Sequence, residues 1–143
     1  MIHCTDSQWG EIEEIRRWHK LRGFDDIGYH YLICNRYPEY ANHKNERPDP
    51  LWDGKVQEGR AEEIAGAHTT GHNAHSLGVA LVGTNRFTSA QFESLYCLLR
   101  NLMRKHRLGV EDIYGHYEFC PTKSCPNLGM DGFRRDLANY LKL

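Results

Sequence analysis

Residues 77–109 read LGVALVGTNRFTSAQFESLYCLLRNLMRKHRLG, and the hydrophobic period changes once along them. From Leu77 to Gly83 the stretch is apolar and punctuated by glycine, the pattern of a buried strand. Thr88 and Gln91 then form a capping box. Beyond it Phe92, Leu95, Leu99, Leu102 and Met103 share one helical face. A strand handed on to an amphipathic helix is the repeating unit of an α/β fold, and the flanking sequence supplies more of the same. Upstream, EIEEIRRWHKLRGF (11–24) spaces Ile12, Ile15 and Trp18 at helical steps and ends at Gly23. GYHYLIC (28–34) is short, aromatic and apolar, and reads as a second buried strand. Downstream, a strand is expected around Ile113 to Phe119. A terminal helix is expected in GFRRDLANYLKL (132–143), carried by Phe133, Leu137, Tyr140 and Leu141. Strands and helices alternate, so the fold class is α/β. Between Arg36 and Gly54 three prolines and many polar residues without periodicity predict a long loop, of a length more often functional than inert. A flap facing a substrate is one expectation for it.

A chain of 143 residues suits one domain with a core large enough to fold unaided. Eighteen basic and nineteen acidic residues leave a net charge of -1, so no bulk field recruits nucleic acid or an anionic membrane. No window approaches a membrane span, and MIHCTDSQWG at the start lacks the basic and apolar regions of a secretory signal. The expectation is a soluble protein, cytoplasmic as synthesised. Five cysteines, Cys4, Cys34, Cys97, Cys120 and Cys125, make an odd, scattered set that argues against a disulfide framework. Function is therefore sought in a local site.

The densest chemistry lies in YGHYEFCPTKSCP (114–126), with His116, Lys123, Cys120 and Cys125 in thirteen residues and prolines that prevent a continuous helix. A lone histidine or cysteine is usually a packed or solvated residue. Together they fit zinc, because imidazole and thiolate are both ligands and a catalytic zinc takes three protein ligands plus a position for water. His116 and Cys125 supply two. The third is open between Cys120, close in sequence, and His3 at the other end of the chain.

In order along the chain, IHCT, GYHYLI, EGR, GAH, HNAHSLGVALVG and GHYEFCPTKSCP resemble the zinc-dependent N-acetylmuramoyl-L-alanine amidases. That family includes the small phage lysozyme-type amidases and the peptidoglycan recognition proteins. The resemblance spans nearly the whole chain and implies a mixed central β-sheet flanked by helices. It implies one catalytic domain over residues 1–143, without a separate wall-binding domain. One zinc ion would be held by His3, His116 and Cys125, with Tyr29 and Lys123 assisting the chemistry. His68 and Asn73 would lie near the substrate groove, or else shape a loop through local hydrogen bonds. The implied reaction is hydrolysis of the amide joining N-acetylmuramic acid to L-alanine in peptidoglycan by a monomer. It would serve endolysin-type lysis of the wall or recycling of its fragments.

Two departures from the phage-type pattern stand out: only Met1 and Ile2 precede His3, and the 36–54 loop is longer. One additional residue between His116 and Lys123 leaves a swap of Cys120 for Cys125, or a disulfide between them, as alternatives. His72 and His75 read as loop surface. His19, His30, His43 and His106 receive no role, and Glu118 reads as a structural contact. Competing functions are a non-catalytic muropeptide-binding module and a zinc peptidase acting within the stem peptide.

Overall fold

The strand read at Leu77–Gly83 lies inside the sheet. A computed structural model describes residues 1–143. In chain order it contains β1 (Ile2–Cys4), α1 (Ile12–Leu21), β2 (Tyr31–Ile33), α2 (Tyr40–Lys44), β3 (Val56–Glu58), β4 (Val79–Leu81), α3 (Ser89–His106) and α4 (Met130–Leu141). The sheet order is β1-β4-β2-β3, with β1 and β2 parallel to β4 and β3 antiparallel to β2. This is the mixed sheet flanked by helices expected above. No helix is long and apolar enough to cross a membrane.

Alternation along the strands separates two cores. Ile2, Val79, Leu81 and Ile33 pack with Leu95, Leu99, Leu102 and Met103 of α3 and with Met130, Phe133 and Leu137 of α4. Leu32, Ala80, Val82 and Cys34 pack instead with Ile12 and Ile15 of α1 and with Ile27. His3 is in register with Ala80, which is in register with Leu32, so the His3 side chain shares the α1 face. The small Ala80 beside it leaves room for an imidazole. The capping box of α3 forms as read: Gln91 N–H donates to Thr88 Oγ1 at 3.1 Å and Thr88 N–H to Gln91 Oε1 at 2.9 Å. The fully buried Gln91 amide also donates to the carbonyls of Ile33 and Val82 at 3.2 and 2.9 Å, tying the helix start to the ends of two strands.

Two local expectations need correction, and one strand, β3, had no counterpart among them. No strand forms over Ile113–Phe119. The segment makes a single parallel bridge, Gly115 beside Ile2, flanked by 3-10 turns at Val110–Asp112 and His116–Glu118. The Asp112 and Glu118 carboxylates take the amides of Gly109 and Gly115, each at 2.9 Å, and this local bonding competes with a ladder. The 36–54 loop is not wholly irregular, since it contains α2. It is anchored by Asp53, which accepts from Thr88 Oγ1 at 2.6 Å and pairs with Arg36 at 3.0 Å. Finally, β3 had no hydrophobic signature because it is an edge strand whose valine is exposed.

Candidate active site and metal centre

The site begins at the free edge of β1. Ile2 N–H donates to the Tyr114 carbonyl at 2.7 Å, which lays Gly115 against the strand. A side chain at Gly115 has no room: a Cβ there would sit 2.7 Å from Met130 Cγ and 3.0 Å from Pro126 Cδ. The next residue, His116, therefore arrives beside His3, with ring centroids 4.6 Å apart. After the 3-10 turn the chain folds back. Tyr117 N–H donates to the Cys125 carbonyl at 2.9 Å, and Cys4 N–H donates to Cys125 Sγ at 3.1 Å. Cys125 Sγ then lies 3.9 Å from His3 Nδ1.

The donor atoms of His3, His116 and Cys125 all lie within 4.8 Å of one another. Zinc bonds of about 2.0–2.3 Å place tetrahedral donors roughly 3.3–3.8 Å apart, so these three need only a small closing movement to share one metal ion. Cys120 is not among them, and its Sγ faces Thr122 Oγ1 at 3.5 Å. All five cysteines are free thiols.

Burial holds the His3 imidazole well below its usual pKa, helped by His68 and His116; burial and then Lys123 lower His116 as well. Both rings are thus neutral at ordinary pH, the form that offers a lone pair to a metal. The Cys125 thiol is pushed up by its hydrogen bond with Cys4 and by burial, so metal binding must displace a proton from sulfur.

Tyr29 and Lys123 line the same cleft, a hollow of about 470 Å³. The Tyr29 ring is 5.3 Å from His3 and 5.2 Å from His19. Burial raises its phenol, and the Cys125 and Cys4 sulfurs raise it further, which keeps the hydroxyl protonated as a donor. His68 lines the cleft but is 8% exposed, and it turns one ring nitrogen to His3. Asn73 does not line the cleft. Its Oδ1 accepts the backbone N–H groups of His68 and Thr69, each at 2.8 Å, which is the loop-shaping alternative. No residue of the 36–54 loop lines the cleft.

Three residues without an assigned role matter structurally. His19 accepts the Gly28 N–H at 2.8 Å and backs the Tyr29 ring. His30 is 1% exposed and links Gly78 N–H, at 3.0 Å, to the Ile64 carbonyl, at 2.8 Å. Cys4 provides the amide that holds Cys125. For His30 the alternating neighbours Tyr29 and Tyr31 were the available signal; for Cys4 and His19 the contacts are made by folding. Glu118 pairs with Arg134 at 2.9 Å, the structural contact expected.

Known proteins resemble this chain over most of its length. The profile of the N-acetylmuramoyl-L-alanine amidase family matches residues 1–128. The endolysin of Escherichia phage T7 is 35% identical over 140 residues, covering 90% of this chain and 80% of that protein. Peptidoglycan-recognition protein SC2 of Drosophila melanogaster is 30% identical over 135 residues, covering 91% of this chain and 64% of that protein. Among solved structures, the N-acetylmuramoyl-L-alanine amidase LysC from Clostridium intestinale superposes with a TM-score of 0.77 at 28% identity, covering 96% of this chain and 82% of that one. The matched span contains every one of the converged donors, and the chain belongs to the N-acetylmuramoyl-L-alanine amidase family.

Proposed function

We propose that the protein hydrolyses the amide between N-acetylmuramic acid and L-alanine in peptidoglycan, with one zinc ion held by His3, His116 and Cys125. The observation that carries this reading is the convergence of those three donor atoms within 4.8 Å at the floor of an open cleft. Zinc, when bound, lowers the pKa of water to about 7 and polarises a carbonyl.

The chain's own residues supply the rest. Addition of water to the amide carbon places negative charge on the former carbonyl oxygen, and the Tyr29 hydroxyl and Lys123 ammonium are donors suited to that charge. Collapse breaks the C–N bond. The leaving nitrogen needs a proton, which Tyr29 or Lys123 can pass to it. The products are a lactyl carboxylate on the sugar and a stem peptide beginning with a free L-alanine amine. Residues 1–143 act in this reading as one catalytic unit, monomeric and directed at the cell wall, in the manner of an endolysin.

The test uses purified cell walls. Treatment should release L-alanine amino termini, a chelator should abolish release, and added zinc should restore it. Mass spectrometry should find intact stem peptides, whereas cleavage inside the stem would assign a peptidase. Binding to walls without any release would assign a recognition module. Metal analysis should find about one zinc per chain in the wild type and far less in Cys125→Ser.

A further inference from the structure

His68 was a candidate for the substrate groove, yet its contacts point inward. His3 Nε2 and His68 Nδ1 are 2.9 Å apart in a buried contact. On the far side of the His68 ring, Nε2 lies 3.4 Å from Ser76 Oγ. That hydroxyl spends its proton on the His72 carbonyl at 2.7 Å, so towards His68 it can only accept. The direction of the chain follows: His68 carries its proton on Nε2, its Nδ1 is a lone pair, and His3 must donate from Nε2. A neutral His3 protonated on Nε2 has its remaining lone pair on Nδ1, the atom facing Cys125 Sγ at 3.9 Å. Thr69 Oγ1, 3.1 Å from His68 Nδ1 and 3.4 Å from His3 Nε2, flanks the same contact.

The surroundings hold this ring in one place. A Cβ at Gly66 would lie 2.6 Å from His68 Cδ2, and one at Gly78 would lie 2.7 Å from the same atom, so two backbones without side chains press on the imidazole. Asn73 fixes the backbone of residues 68 and 69 through the two 2.8 Å bonds already described. A groove residue free to meet a ligand has no need of such a clamp.

We propose that His68 is a positioning residue: by accepting the Nε2 proton of His3 it selects the His3 tautomer whose Nδ1 lone pair faces His116 and Cys125. The proposal rests on the metal reading of the cleft. It gives His68 the place that a carboxylate or carbonyl commonly takes behind a ligating imidazole, with Ser76 completing the line of donors.

Nitrogen NMR of the histidine rings in the wild-type protein, metal-free and zinc-loaded, reads the tautomers directly. The expected result is a proton on His3 Nε2 with a coupling across the hydrogen bond to His68 Nδ1 in both states. Zinc affinity is then measured by competition with a chromophoric chelator. His68→Phe, which keeps ring volume but removes the acceptor, should weaken zinc binding by about 10- to 100-fold. His68→Asn, which can place an oxygen near the Nδ1 position, should recover most of that loss. Zinc binding by His68→Phe within twofold of wild type, or a His3 proton found on Nδ1 in the metal-free protein, would overturn the proposal. If His68→Phe does not fold, the wild-type spectra and His68→Asn decide. A wild type that takes up no zinc would sink the metal reading, while the tautomer measurement would still judge His68.

Discussion

Two of the hollows that open on this molecule invite comparison, and the larger of the pair is not the one with the chemistry. The larger, about 660 Å³, is walled by residues such as Leu77, Leu99, Leu102 and Met103, with Glu62 and His106 at its polar side. The smaller, about 470 Å³, gathers His3, His116, Cys125, Tyr29, Lys123 and His68. The first owes its walls to the core that α3 builds on the sheet. The second is assembled from segments more than a hundred residues apart that meet at the edge of β1. A reactive site is thus marked here by converging donors rather than by space.

Substitutions should sort by hollow. His116→Ala should lower kcat by about 10³-fold or more, since a catalytic metal is worth several kcal/mol, and metal analysis should find the zinc lost while the fold persists. Activity retained at a tenth of wild type would break the contrast at its centre. Tyr29→Phe and Lys123→Met should each cost on the order of 10²- to 10³-fold in kcat with zinc content unchanged, which separates donors from ligands. In the other hollow Leu99→Ala should cost about 2–5 kcal/mol in urea unfolding, with kcat per folded molecule near wild type. A loss of kcat without a loss of stability there would show that the two hollows are coupled.

Glu62 sharpens the comparison through pH. Its carboxyl accepts from Tyr31 at 2.6 Å, from His106 at 2.6 Å and from Lys105 at 3.1 Å. The Tyr31 bond foremost, followed by those to His106 and Lys105, lowers its pKa from 4.5 to about 2. The folded value lies below the unfolded one, so the stabilisation is complete above pH 4.5 and drains away as pH falls towards 2. Glu62→Gln should be less stable than wild type by about 1–2 kcal/mol at neutral pH, and the two should converge near the acid end of that window. The smallest effect belongs to Arg107, which closes α3 in the left-handed conformation at φ 56°. Arg107→Gly should raise the unfolding free energy by at most about 1 kcal/mol.

How much of this was legible in the sequence depended on whether the signal was local. The face of α3 and its Thr88–Gln91 cap are set within a few residues and fold as read. So does the apolar run of β4, because a central strand declares itself by composition alone. The pairing of Gly115 with Ile2 is a different matter. Its neighbourhood looked like a strand, but carboxylates three residues along claimed the backbone, and the three residues of β1 hold only one bridge to it. His116 and Cys125 were visible as chemistry close together in the chain, whereas His3 stood only as an alternative to Cys120 until resemblance to a family chose between them. The contact between His3 and His68 had no local trace, since it exists only because β1 lies beside β4 and the loop before β4 curls over the end of the strand.

The hydrogen bond from the Cys4 amide to the Cys125 sulfur joins positions 121 apart in the chain. A cation shared by His3 and Cys125 would fasten nearly the entire polypeptide into one closed ring, a cross-link whose entropic benefit grows with the length enclosed. Loading the centre should therefore do more than enable chemistry. It should raise the melting temperature with rising free zinc, as expected of any ligand that only the native state can grasp.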